Sequence, residues 1–123
     1  MEKRVVVGGS RTFQDYSFLS HALDRCLSRI MKEYQIIILS GHCRGTDALA
    51  ERYAKERGLS LEIYPADWSL GRKAGPLRNQ KMIDLADYVV AFPVCGPGTE
   101  SLIRLAEKKG LPMRIYPVEE RNS

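Results

Sequence analysis

The residues able to do chemistry in this chain of 123 amino acids gather in four short stretches. The first opens with Gly8-Gly9-Ser10-Arg11 and runs to Phe13. The second is SGHCRGTD, Ser40 to Asp47. The third, Pro65 to Gly75, holds Trp68, Arg72 and Lys73 and leads into Arg78 and Asn79. The fourth is PVCGPGTE, Pro93 to Glu100. Glycine has no Cβ, so a backbone rich in it approaches a ligand closely and tolerates positive φ. A helix N-terminus adds unpaired N–H groups and the positive end of a dipole. Gly45-Thr46 and Gly98-Thr99 each combine these two properties, and anions are what such junctions bind. Gly41 and Gly96 extend the two loops, and Arg11, Arg44, Arg72, Lys73 and Arg78 supply positive charge.

Other chemistries fit less well. No G-x-G-x-x-G follows the first apolar run, no acidic residue ends the second to hold a ribose, and no G-x-x-x-x-G-K-[ST] occurs. Ser10 lacks the G-x-S-x-G elbow of hydrolases, and His21 falls in mid-helix, expected to face solvent. His42, Cys43 and Cys95 match no zinc spacing, so neither a metal nor a cofactor is expected. Cys26 sits on an apolar stripe and reads as core. Asp47 and Glu100 fall in the first turns of helices, where the dipole alone favours an acid by ~0.3–1 kcal/mol. Trp68 could stack a base or cover the sheet edge.

The elements that must position these residues alternate without a break. Arg4–Val7, Gln35–Leu39, Leu61–Tyr64, Tyr88–Phe92 and Met113–Tyr116 read as strands. Leu19, Ala22, Leu23, Cys26, Leu27, Ile30 and Met31 repeat at helical spacing, with Asp15 or Ser17 as cap. Further helices start near Thr46 and Pro76 and follow the fourth loop, and they end before Gly58, at Ala86 and before Gly110. Strand–helix alternation with short crossovers predicts a parallel sheet with helices on both faces. The expected fold class is α/β: a Rossmann-like three-layer sandwich with a five-stranded sheet in the order 3-2-1-4-5. In such sheets ligands bind beyond the carboxyl ends of the strands, at the switch point. All four stretches follow strands, so they should meet at that edge.

Bulk properties agree. The length suits one domain, read as residues 1–118 with a loose tail from 119 to 123. Hydrophobic residues make up 44% and charged residues 28%, the balance of a soluble protein, and no stretch approaches a membrane span. The net charge of +4 permits an anionic partner without requiring one. Three scattered cysteines and the lack of a signal-peptide pattern lead us to expect a cytoplasmic protein.

GGSRTF, SGHCRGTD, DWSLGRKAGPLRNQKMIDLADYVVAF and GPGTESLI together resemble the YspA/YpsA-related branch of the SLOG superfamily, which joins the Smf/DprA and LOG ("lonely guy") proteins. The resemblance runs from Arg4 to about Val118. It implies a Rossmann-like domain for nucleotides or nucleotide-derived ligands. LOG enzymes cleave nucleoside 5′-monophosphates to base and ribose 5-phosphate, and Arg78 and Met82 are similar to their helix arginine and methionine. Here Glu100 follows Thr99 directly, one position early and unpaired, and one position turns a side chain about 100° around a helix. His42 stands where relatives of this branch often have glycine.

The expected function is therefore binding of a nucleotide-derived small molecule, as sensor or carrier. Amides of Gly8, Gly9, Gly45, Thr46, Gly98 and Thr99 would take phosphate, aided by Ser10, Arg11 and Arg78, with Asn79 and Glu100 on ribose or base. The alternative is LOG-like hydrolysis with Arg78 and Glu100 as catalytic residues. Single-stranded DNA binding, by analogy with DprA, is less expected because basic and aromatic residues barely interleave. A homodimer or higher homo-oligomer through the third and fourth helices, and no membrane partner, complete the reading.

Overall fold

The computed structural model describes residues 1–93 and 99–118. Its elements follow in the order β1 (Glu2–Gly9), α1 (Tyr16–Glu33), β2 (Gln35–Ser40), α2 (Thr46–Glu56), β3 (Ser60–Ile63), a 3-10 helix (Trp68–Lys73), α3 (Ala74–Leu85), β4 (Tyr88–Phe92), α4 (Glu100–Lys109) and β5 (Met113–Ile115). The strands form one sheet in the order β3-β2-β1-β4-β5, and every pairing is parallel. The fold class and strand order are those expected from the sequence.

The core lies on both sides of the sheet. Val5, Val7, Ile36, Ile38, Val90 and Phe92 face one way and pack with Leu19, Leu23 and Leu27 of α1 and Tyr53 of α2. Val6, Ile37, Leu39 and Val89 face the other way and pack with Met82 and Ile83 of α3 and Leu102 and Ala106 of α4. Burial on both faces is why β1, β2 and β4 read as continuous β-branched and apolar runs. Asp15 caps α1, its Oδ1 accepting the Phe18 N–H at 3.0 Å, while Ser17 lies inside the helix. Gly110, left-handed at φ 76°, ends α4.

Several boundaries differ from the sequence reading. β1 runs on through Gly8 and Gly9, which pair with Ala91 and Phe92 of β4; the glycines lie in the strand rather than in a turn. β3 starts one residue early and β5 stops one short. The stretch read as a long loop contains the 3-10 helix, capped by the Asp67 carboxylate on the Ser69 N–H at 3.1 Å. α3 begins two residues before Pro76; the first turn of a helix needs no N–H from a proline. Among the described residues no helix is long and apolar enough to cross a membrane.

Candidate functional site

The carboxyl edge of the sheet is built first by the docking of the β1 and β2 loops on each other. The Ser10 N–H donates to the Phe92 carbonyl at 3.0 Å, and the Ser10 carbonyl accepts from the Thr46 N–H at 3.0 Å. The Thr46 hydroxyl donates to the same carbonyl at 2.8 Å. Gly45 makes this possible: at φ 76° it lies so close that a Cβ would sit 2.4 Å from the Arg11 carbonyl group. A Cβ on Gly9 would lie 2.3 Å from the Phe92 carbonyl oxygen and 2.9 Å from Thr46 Oγ1, and one on Gly8 would lie 2.9 Å from Leu102 Cδ2. These glycines admit α2 and α4 against β1. The Thr46 amide, expected to face a ligand, is taken up by Ser10, and the residue is fully buried. Ser10 Oγ accepts from the Thr12 N–H at 3.1 Å and shapes the start of the loop.

Arg78 reaches from α3 under the β2 loop. Its Nη1 donates to the Gly41 carbonyl, its Nε donates to Asn79 Oδ1 at 3.0 Å, and its Nη2 lies 3.8 Å from Cys43 Sγ. Buried Asn79 extends the link to α4, with Nδ2 3.5 Å from Ser101 Oγ. Gly41 leaves the room: a Cβ there would overlap Arg78 and stand 3.0 Å from Asp47 Oδ2. Asp47 is 8% exposed and accepts the Cys43 N–H at 3.2 Å. Burial pushes its carboxyl up to about 6, opposed by that N–H and by the Arg78 charge. Asp47 does occupy the first turn of α2, but its carboxylate turns back to the loop beside Arg78.

Arg11 and Trp68, far apart in sequence, also meet. The guanidinium carbon lies 5.4 Å from the centre of the Trp68 ring, and Trp68 remains 55% exposed. Arg44 is exposed on its loop, and Arg72 and Lys73 are exposed at the end of the 3-10 helix. Thr99 is buried at the start of α4, whereas Glu100 is exposed and its Oε2 accepts from Arg104 of its own helix at 3.4 Å. Among the described residues Arg78 and Glu100 form no ion pair with each other. Gly96 and Gly98, with Cys95, lie outside the described residues.

Glu51, absent from the sequence reading, belongs to this edge, and Ser40, read only as part of its loop, anchors it. Ser40 Oγ donates to Glu51 Oε2 at 2.8 Å and accepts the His42 N–H at 3.1 Å. Glu51 Oε2 also lies 3.0 Å from His42 Nδ1. Glu51 follows Asp47 by one helical turn, which was the available signal. His21 is exposed as expected. Cys26 is only half-buried and is 2.8 Å from the Tyr116 hydroxyl, so it is a polar contact at the core margin rather than plain core. Among the described residues no group of three His, Cys, Asp or Glu side chains could hold a metal ion.

Known structures share this architecture. TM1055, a structural-genomics target, superposes with a TM-score of 0.65 at 22% identity over 90% of this chain and 72% of that one. The Moco carrier protein of Chlamydomonas rheinhardtii does so at 0.60 and 21%, over 94% and 76%. MurG of Acinetobacter baumannii follows at 0.54 and 16%, over 94% of this chain and 35% of that one. At these identities the likeness is one of fold. No curated protein matches the chain. Residues 3–71, from β1 into the 3-10 helix and including the loop of Gly45 and the residue Trp68, match the family described as YAcAr; the chain belongs to the YspA, cpYpsA-related SLOG family.

Proposed function

We propose that the protein binds a nucleotide or nucleotide-derived ligand at the carboxyl edge of the sheet, as a sensor or carrier. The observation that carries this reading is Arg78. It is a guanidinium held half-buried by Gly41 and Asn79 at the edge where the β1 and β2 loops converge. Guanidinium–phosphate contacts are charge-assisted and directional. Gly8, Gly9 and Ser10 lie where β1 meets β4, and Arg11 and Trp68 offer a cation and a flat aromatic face for a base. A carrier role is in keeping with the algal carrier protein of the same fold. In this reading the protein works in the cytoplasm as a homodimer and takes up no cofactor.

The test is calorimetric titration with AMP, ADP-ribose and adenosine, with Trp68, the single tryptophan, as a second reporter. Arg78→Ala is expected to weaken the phosphorylated ligands by roughly ten- to a hundredfold, the value of a lost hydrogen bond to a charged group. Unchanged affinity removes Arg78 from the site. LOG-like hydrolysis would need Glu100 at the sugar, and its carboxylate rests on Arg104. The binding reading therefore expects no adenine release from AMP; release abolished by Glu100→Gln would favour the hydrolase.

A further inference from the structure

His42 is held with more care than a surface turn requires. It is the one non-glycine residue with positive φ, at 60°, among the described residues. Histidine is tolerated there better than most residues, but glycine would make the same turn without strain. The backbone is fixed by its N–H on Ser40 Oγ, and the ring is fixed by Nδ1 on Glu51. Glu51 is itself anchored by the Ser40 hydroxyl. The carboxylate side chain is only 15% exposed, while the imidazole is 59% exposed. Ser40, Glu51 and His42 thus form a chain that ends in a ring presented to solvent.

The direction of that chain fixes its chemistry. A carboxylate accepts only, so Nδ1 carries the proton and donates to it. In the neutral ring Nε2 is then an acceptor, pointing away from Glu51. In wound parallel sheets that bind dinucleotides, an acidic side chain near the carboxyl end of β2 accepts from a ribose hydroxyl. β2 of this chain ends at Ser40 and is followed by Gly41-His42, without an acid. Its carboxylate comes from α2 and is occupied by Ser40 and His42, so the acceptor that this chain of hydrogen bonds leaves for a ligand is imidazole Nε2.

We infer that His42, positioned by Glu51 and Ser40, reads a ribose hydroxyl of the ligand through Nε2 and makes the site selective for ribonucleotides over their deoxy forms. The inference rests on the nucleotide reading above. It assigns His42 a specificity role separate from the phosphate contact of Arg78.

Titrations with AMP, 2′-deoxy-AMP and 3′-deoxy-AMP test it, each run with wild type, His42→Gly and Glu51→Gln. Wild type is expected to bind AMP about three- to tenfold more tightly than at least one deoxy form, as for one hydrogen bond. His42→Gly is expected to bind all three equally, near the affinity of the disfavoured deoxy form, and to melt no lower than wild type because the strained φ is relieved. Glu51→Gln, which releases the tautomer, should shrink the preference. Equal wild-type binding of the three probes overturns this inference and leaves the nucleotide reading standing. A His42→Gly variant that keeps the preference, or weakens all probes in parallel, also overturns it. Failure of wild type to bind any of them overturns both.

Discussion

Asp47 is the buried carboxylate of the described residues, and its consequence is a stability that depends on pH in an unusual direction. Burial raises its proton affinity, so folded protein holds the proton up to about pH 6 while an unfolded chain releases it near 3.8. Between those values the folded state binds more protons, so this group's contribution to stability falls as pH rises from about 4 to about 6. Asp24, Glu56 and Glu62 do the opposite. Their hydrogen bonds from Arg57, Arg52 and Arg4 hold them below the usual carboxylate range, and what they contribute is lost as pH falls. The comparison of wild type with Asp47→Asn isolates the first effect, because Asn keeps an acceptor for the Cys43 N–H. Urea unfolding is expected to show the variant gaining on wild type by on the order of 2 kcal/mol between pH 4 and pH 7; a constant difference would place the Asp47 proton elsewhere. The sequence showed an acid in a first turn. It did not show the burial, which depends on the missing side chains of Gly8 and Gly41 and on the approach of Arg78 and Leu102 from distant elements.

At the scale of elements, the start of α2 was legible and its docking on the β1 loop was not. Gly45 reads as a phosphate-type junction, but its closest neighbours are backbone atoms of Ser10 and Arg11, a tertiary contact that no local pattern encodes. Gly45→Ala is therefore expected to cost at least about 2–4 kcal/mol, as overpacking is added to a positive φ. Gly58→Ala, also at positive φ but in open space, should cost only about 1 kcal/mol; urea midpoints of the two variants provide the measurement. Equal costs would mean that the docking of the two loops is soft. The 3-10 helix escaped the sequence reading for a different reason. All of its residues, Trp68 to Lys73, are exposed, so no apolar stripe marks it, and Gly71 at φ 71° interrupts it. α1, with Leu19, Leu23 and Leu27 buried on one face, was plain because burial writes a period into the sequence.

For the whole molecule, strand–helix alternation was enough to reach the strand order, because parallel crossovers leave few topologies. The same order brought Arg11 to Trp68 and Arg78 to Gly41, pairings that the sequence suggested only as shared membership of one edge. Arg4, Arg52, Arg57 and Arg104 each pair with an acid; such pairs remove charges of both signs equally, so the net charge of +4 rests on the remaining side chains. The proposed dimer has a testable face, since Leu77 and Leu85 of α3 and Leu70 of the 3-10 helix are exposed and each carries apolar area that association would remove from water. Light scattering is expected to report a dimer for wild type and a monomer for Leu77→Glu; an unchanged mass would exclude this face. Because every strand runs the same way, Met1 leaves the sheet at the edge opposite the loops proposed to bind the ligand, whereas Tyr116 and Val118 continue past β5 alongside Ala91 and Pro93. An affinity tag or surface tether attached ahead of Met1 would keep clear of the proposed site, and one fused after Val118 would emerge on the same side as that site.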